Sequence, residues 1–296
     1  MTRDYDTVGQ HLVSKVLLAR FADKDSRVLT HTLDGRTFPQ AIRKAGRKND
    51  FIAVNADRYE RFWGKFEGPA GAALRALEAD EVSLAGRLAA AHEDALVDLM
   101  ALHFARAYTA EVMWQRALDN TLPARRDGMA TDPHFLAAMR TCAAMDLLTD
   151  EQIADIMAGY VARQVGLGTA AFGRTVAHQF RKVRRIFRQY HLEIGWAADG
   201  EFLLPDVPCV TYDKDSNVAG VLNGARIGSS DVVCMPATPR HLLSLTKNPA
   251  HPGHAVPVDR ANGILVQNAR QAVFYRPGST GLDAFMREAL RARGAA

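Results

Sequence analysis

Cysteine is scarce in this chain: Cys142, Cys209 and Cys234 are the only three in 296 residues. They are far apart and odd in number, which excludes both a disulfide framework and the paired spacing of a zinc site. They read instead as small buried hydrophobes. No segment approaches the ~18 continuous apolar residues of a membrane span, and the opening Met1 to Asp6 is polar, without the apolar stretch of a signal peptide. The expectation is therefore a cytosolic protein with no membrane partner. Three familiar chemistries are missing as well: a phosphate loop ending in Lys-Ser/Thr, a Gly-x-Ser-x-Gly elbow and a His-Glu-x-x-His helix. Gly166-Leu-Gly168 follows no strand pattern, so a dinucleotide fingerprint is not expected. Nothing in the sequence asks for a cofactor or a metal.

Acidic residues are also absent from one long stretch, 156–192, which carries Arg163, Arg174, Arg181, Lys182, Arg184, Arg185 and Arg188. The net charge is only +4, so this local asymmetry says more about partners than the total does. The apolar fraction of 48% and charged fraction of 24% are those of an ordinary globular protein. A chain this long can bury a sizeable core. It reads as one domain in three regions: a β-hairpin and loop region 1–66, a helical region 67–192 and a β-rich region 193–296.

The elements follow from local pattern. Val28 to Leu33 is rich in β-branched and apolar residues, and Asp34-Gly35 predicts a two-residue type I′ turn with positive φ at both positions. Pro39 then ends or edges the return strand. A helix is predicted from Glu67, with Pro69 in its first turn. A long Ala- and Leu-rich helix follows, capped by Ser83 and running to about Ala117. Pro123, Gly128 and Pro133 predict a loop over 120–133. Helices are expected over 133–148, after the capped start at Thr149, and from Arg174 to about Tyr190, with a break at 166–173. In the last, Val176, Phe180, Val183, Phe187 and Tyr190 make an apolar stripe that belongs in the core. Phe202 to Leu204, Cys209 to Tyr212, Asp231 to Met235 and Gln271 to Tyr275 read as strands, and Leu282 to Ala292 as a closing helix. Helices and strands are segregated, so the fold class is α+β, with an antiparallel C-terminal sheet.

The order of short matches along the chain resembles the domain of unknown function (DUF) 4238 family. Its members open with His-x-Val-Pro-x-x-x-Leu-Arg-x-Phe followed by a β hairpin. Here His11, Val13, Leu18 and Phe21 match, while Ser14 stands at the proline and Ala19 at the arginine. Glu67 to Leu77 is similar to the family's Glu-led helix, and Met100 to Arg106 to its segment ending in arginine. Pro208 to Asp213, Met235 to Pro239, Asp259 to Asn262 and Ala269 to Tyr275 resemble later elements, in the same order. The resemblance implies a single bacterial-type domain and names no substrate.

Several side chains could carry chemistry. His92 and His103 are eleven residues apart on one helix, nearly on one face, with Arg106 close to a turn beyond. An imidazole can move a proton near neutral pH, and a guanidinium can hold the growing charge of a phosphodiester. His11 and Glu67 could supply a second acid–base pair, and Asp213 could orient a histidine or bind a metal. Plainer roles stand beside these. His103 sits among Leu99, Met100 and Leu102 as a core histidine would, Arg106 could bridge the helix to the C-terminal sheet, and Glu67 could favour a helix N-terminus. Arg87 and His92 have the Arg-x4-His spacing that resembles the ribonuclease motif of the HEPN superfamily, though about 140° apart on a helix. His251-Pro-Gly-His254 lies in a Pro/Gly loop. Arg174, Arg181, Arg185 and Arg188 line a helix face suited to phosphates without sequence readout; the alternative is pairing with Asp94, Asp98 and Glu111. The function expected is that of an effector acting on nucleic acid, as a metal-independent nuclease. The alternative is a non-catalytic module that binds nucleic acid or an acidic protein. Convergence of His11, Glu67, His103, Arg106 and Asp213 in one cleft is what an enzyme requires.

Overall fold

A computed structural model describes residues 9–79, 88, 90–143, 145–248 and 254–294. The chain opens with β1 (Gly9–His11), a single helical turn α1 (Lys15–Leu18) continued as a 3-10 turn (Ala19–Phe21), and the hairpin β2 (Arg27–Thr32) and β3 (Thr37–Ala41). After β4 (Arg47–Asn49) it becomes helical, with α2 (Ala56–Ala79), α3 (Ala90–Ala105), α4 (Tyr108–Thr131), α5 (Pro133–Ala143), α6 (Asp150–Val165) and α7 (Ala170–Phe187). The last part holds β5 (His191–Ala197), β6 (Leu204–Pro205), β7 (Val210–Asp213), β8 (Val218–Ala219), β9 (Val232–Thr238), β10 (His241–Thr246) and β11 (His254–Val256). Helix α8 (Val258–Asn268), β12 (Ala272–Tyr275) and α9 (Thr280–Gly294) complete it. The class is α+β.

Three sheets organise these strands. One has the order β11-β5-β10-β9-β7-β8, a second β3-β2-β12-β6, and β1 pairs with β4. The large sheet is antiparallel except at its edge, where β11 runs parallel to β5. The N-terminal hairpin does not stand alone: β12 comes back from near the C-terminus to pair with β2, Val273 opposite His31. The main core draws on the N-terminal segment (Leu12, Leu17, Phe21), the helices (Trp63, Leu96, Phe180) and the large sheet (Val233, Met235, Leu243).

Several expectations are corrected. The turn of the hairpin has a three-residue loop, Leu33-Asp34-Gly35, closed by the Gly35 N–H donating to the Thr32 carbonyl at 2.9 Å. Only Gly35 takes positive φ, at 91°, the pattern of a type I turn followed by a left-handed residue. Pro39 lies in edge strand β3, where a missing N–H costs least. Helix α2 begins at Ala56 rather than Glu67, so Glu67 is mid-helix and Pro69 interior. The predicted loop 120–133 is helical, with Pro123 inside α4. Both prolines sit on exposed faces, where solvent can take the carbonyl that loses its donor. The long helix expected to Ala117 breaks after Ala105, because Ala107 is extended (φ −123°, ψ 163°). Ser83, its expected cap, lies outside the described residues. Helix α7 starts at Ala170, capped by Thr169 accepting from the Phe172 N–H, and α8 was not foreseen. The capping box at Thr149 and Gln152 is present, and the stripe Val176, Phe180, Val183 and Phe187 is buried.

The segment carrying His11 is held by one tight approach. The Leu12 and Val13 N–H groups both donate to the Gly46 carbonyl, at 2.8 and 3.2 Å. Gly46 has φ 60°, and a Cβ there would meet the Val13 Cβ at 2.8 Å. Gly46→Ala is therefore expected to cost about 2 kcal/mol, from left-handed strain and overpacking together. Urea denaturation measures this, and unchanged stability would contradict the close approach.

Candidate functional site

The helix break after Ala105 leaves Arg106 turned into the protein. Its side chain is only 1% exposed, and its Nη2 donates to Glu67 Oε1 at 2.6 Å. The guanidinium also lies 5.7 Å from the Trp63 ring centroid, a cation–π contact. Its Nε and Nη1 have no hydrogen-bond partner among the described residues. Glu60, Trp63 and Glu67 are spaced i, i+3 and i+7 on α2, which puts them on one helix face. Glu60 Oε1 is likewise buried without a partner. Burial raises the Glu60 carboxyl above its ordinary value, Glu67 adds to the rise, and Arg106, Lys15 and Arg47 oppose it.

His11 approaches from β1. Its cross-strand neighbour is Arg47. Burial, then the charge of Lys15, lowers its pKa to about 4, with Arg47 and Arg106 adding to the fall. A hydrogen-bond interaction with the Ile42 backbone opposes the fall, while Nε2 is buried and has no hydrogen-bond partner among the described residues. At neutral pH the ring is thus uncharged and its Nε2 is uncommitted. Lys15 and Arg47 are exposed at the rim, and His11, Glu60 and Glu67 are half-buried. The arrangement is a buried guanidinium with spare donors, a neutral imidazole and a carboxyl that resists ionisation, under a basic rim. Buried polar atoms normally find partners, so several orphans in one charge-coupled cluster mark a place suited to an anion.

Of the five residues expected to converge, His11, Glu67 and Arg106 share this cluster. Arg106 bridges α3 to α2 rather than to the C-terminal sheet. His103 has both ring nitrogens occupied: Nδ1 donates to the Leu99 carbonyl at 2.9 Å, and Nε2 accepts from the Ser14 N–H and hydroxyl at 3.1 Å. It clamps the start of α1 to α3 and has no lone pair free for catalysis. Asp213 Oδ1 accepts from the Asp215 and Ser216 N–H groups, each at 3.1 Å, and so closes the β7–β8 turn. Glu60 escaped notice because residues before Glu67 read as loop; as a helix, its spacing to Trp63 and Glu67 would have exposed it. His92 is half-buried on α3, and Arg87 and His251 lie outside the described residues.

On α7 the two readings divide the arginines. Arg184 donates to both Asp98 oxygens, at 2.6 and 2.9 Å, and Arg188 reaches Asp98 at 3.3 Å and Asp94 at 3.7 Å. Arg188 is thus taken up by the acids that the alternative named, while Glu111 pairs with Lys48 instead. Arg181 lies 5.9 Å from the Phe62 ring centroid. Arg174, Arg181 and Arg185 are exposed and have no carboxylate partner among the described residues.

This α+β chain, with its N-terminal histidine segment set against a buried arginine, belongs to the family described as "Protein of unknown function (DUF4238)", which matches residues 9–279. Neither a curated protein nor a solved structure matches it. No helix among the described residues is long and apolar enough to cross a membrane, and no group of three or more metal-binding side chains occurs among them.

The His103 clamp has a pH signature. Burial and the Arg106 charge lower its pKa from 6.5 to about 3. The folded state therefore binds fewer protons than the unfolded chain between those values, so this stability is complete above pH 6.5 and is lost as pH falls toward 3. His103→Leu is expected to cost about 2–3 kcal/mol at pH 7, through the unpaired Ser14 groups. It should also flatten the decline of urea midpoint between pH 6.5 and 4. An unaltered pH slope would contradict the buried neutral histidine.

Proposed function

We propose that the protein cleaves phosphodiesters without a metal, with nucleic acid as the substrate class. The observation that carries the reading is the set of unpartnered polar atoms, His11 Nε2, Glu60 Oε1 and Arg106 Nε and Nη1, in one charge-coupled cluster. In this reading Arg106 holds the non-bridging phosphate oxygens, and its burial strengthens that attraction. His11 Nε2 takes the proton of the attacking hydroxyl or water, and Glu60, whose carboxyl burial raises above its ordinary value, gives one to the leaving oxygen. Glu67 positions Arg106. Lys15 and Arg47 at the rim draw in the phosphate backbone.

A second reading rests on Arg174, Arg181 and Arg185, exposed on α7. In it the protein binds nucleic acid or an acidic protein through these cations and performs no chemistry.

Labelled single-stranded RNA and DNA incubated with the purified protein in chelator distinguish the two. The enzyme reading expects cleavage that falls at least about 100-fold in His11→Gln and in Glu60→Gln, the range for loss of an acid–base group. Variants that keep the wild-type melting temperature and cleave equally well would overturn the assignment of those residues. Salt-sensitive binding without cleavage, abolished by Arg174→Glu with Arg185→Glu, would instead establish the second reading.

A further inference from the structure

A separate surface depression of about 340 Å³, largely open to solvent, lies between the tip of the β2–β3 hairpin and α9. Leu33 and Leu290 give it apolar walls, and His31, Asp34, Gly35, Arg287 and Arg291 supply the rest of its lining. None of these residues belongs to the His11–Arg106 cluster.

The polar groups here are arranged from below. Tyr275 donates its hydroxyl proton to Asp283 Oδ1 at 2.5 Å. Its oxygen lies 3.3 Å from His31 Nδ1, which also meets the Thr37 hydroxyl at 3.2 Å. Nδ1 is thus engaged by both hydroxyl oxygens, and Nε2 is the nitrogen left for the cavity. The Asp283–Tyr275–His31 chain links α9, β12 and β2, so the imidazole is fixed by three elements.

The charge at the mouth is positive. Arg287 and Arg291 are four residues apart on α9, so they share a face. Both are exposed, and neither has a carboxylate partner among the described residues. The helix dipole favours cations near this end of α9; it does not require two of them to line a cavity floored by a histidine. Asp34, the acidic residue of the lining, is occupied by Arg36 Nη2 at 2.8 Å and by the Thr32 hydroxyl. At Gly35 the space that a side chain would fill is open, which leaves the loop backbone accessible to a ligand.

We propose that this cavity binds a phosphomonoester, with the phosphate held between Arg287 and Arg291 in fork-like pairs of hydrogen bonds. His31 Nε2 accepts from a hydroxyl of the ligand, and Leu33 and Leu290 pack its carbon skeleton. The depression is wide enough for a ligand of about sugar-phosphate dimensions, one side of which stays in solvent. The phosphate can come from a free metabolite-sized molecule or from the 5′ end of a nucleic-acid strand.

The test is isothermal titration calorimetry on the full chain with two probes. These are ribose 5-phosphate and a 5′-phosphorylated tetranucleotide, with the 5′-hydroxyl tetranucleotide as control. The expected result is one site per chain for at least one phosphorylated probe, weakened at least ten-fold in Arg287→Ala with Arg291→Ala. Those residues are exposed, and an unchanged melting temperature verifies the fold. Arg125→Glu, at an exposed position on α4, should leave the binding intact. No binding of either phosphorylated probe, equal binding by the Arg287 and Arg291 double variant, or loss of binding in the Arg125 variant would each overturn the proposal. Whether the protein cleaves phosphodiesters does not enter any of these outcomes.

Discussion

A guanidinium that is almost wholly removed from water is the constraint around which the rest of the site is arranged. Burying an unpaired charge is costly, and one carboxylate offsets that cost only in part. Arg106 has Glu67 on one nitrogen and the Trp63 ring near its plane, with two nitrogens left over. Its charge reaches three other groups: it helps keep His11 and His103 neutral and opposes the rise of the Glu60 carboxyl. The break between α3 and α4 is where the chain directs this side chain inward. The unspent donors are a local deficit of the kind expected where binding, rather than stability, sets the requirement.

The two histidines nearest that charge illustrate how environment separates roles. His103 is fully enclosed and has both nitrogens committed, so its neutrality serves packing. His11 interacts with the Ile42 backbone, and its Nε2 has no hydrogen-bond partner among the described residues. Both are kept uncharged by burial, yet of the two only His11 has a nitrogen uncommitted. The basic face of α7 divides in the same manner. Arg184 and Arg188 fasten α7 to α3 through Asp98, while Arg174, Arg181 and Arg185 are exposed.

Much of this was legible in the sequence, for definable reasons. The capping box at Thr149 and the stripe on α7 rest on local rules that tertiary structure did not override. His11, Glu67 and Arg106 were marked by the family-like segments around them. The boundaries failed where proline was read as punctuation. Pro69 and Pro123 are inside helices, on exposed faces where the lost hydrogen bond is cheap. Misplacing the start of α2 hid Glu60, which no motif signalled. Asp213 misled because an aspartate that closes a turn and one that orients a base look alike without the fold. The return of β12 to the N-terminal hairpin depends on a pairing over more than two hundred residues, which no local pattern encodes.

The central claim is that burial, and then the charges of Lys15, Arg47 and Arg106, hold His11 as a neutral base with a free Nε2. Heteronuclear NMR of the imidazole nitrogens across a pH titration tests it most directly. The account predicts a neutral ring at pH 7 with the proton on Nδ1, and a pKa near the value of about 4 set by burial and by Lys15, Arg47 and Arg106. An ordinary titration near pH 6.5, or a proton resting on Nε2, would contradict it.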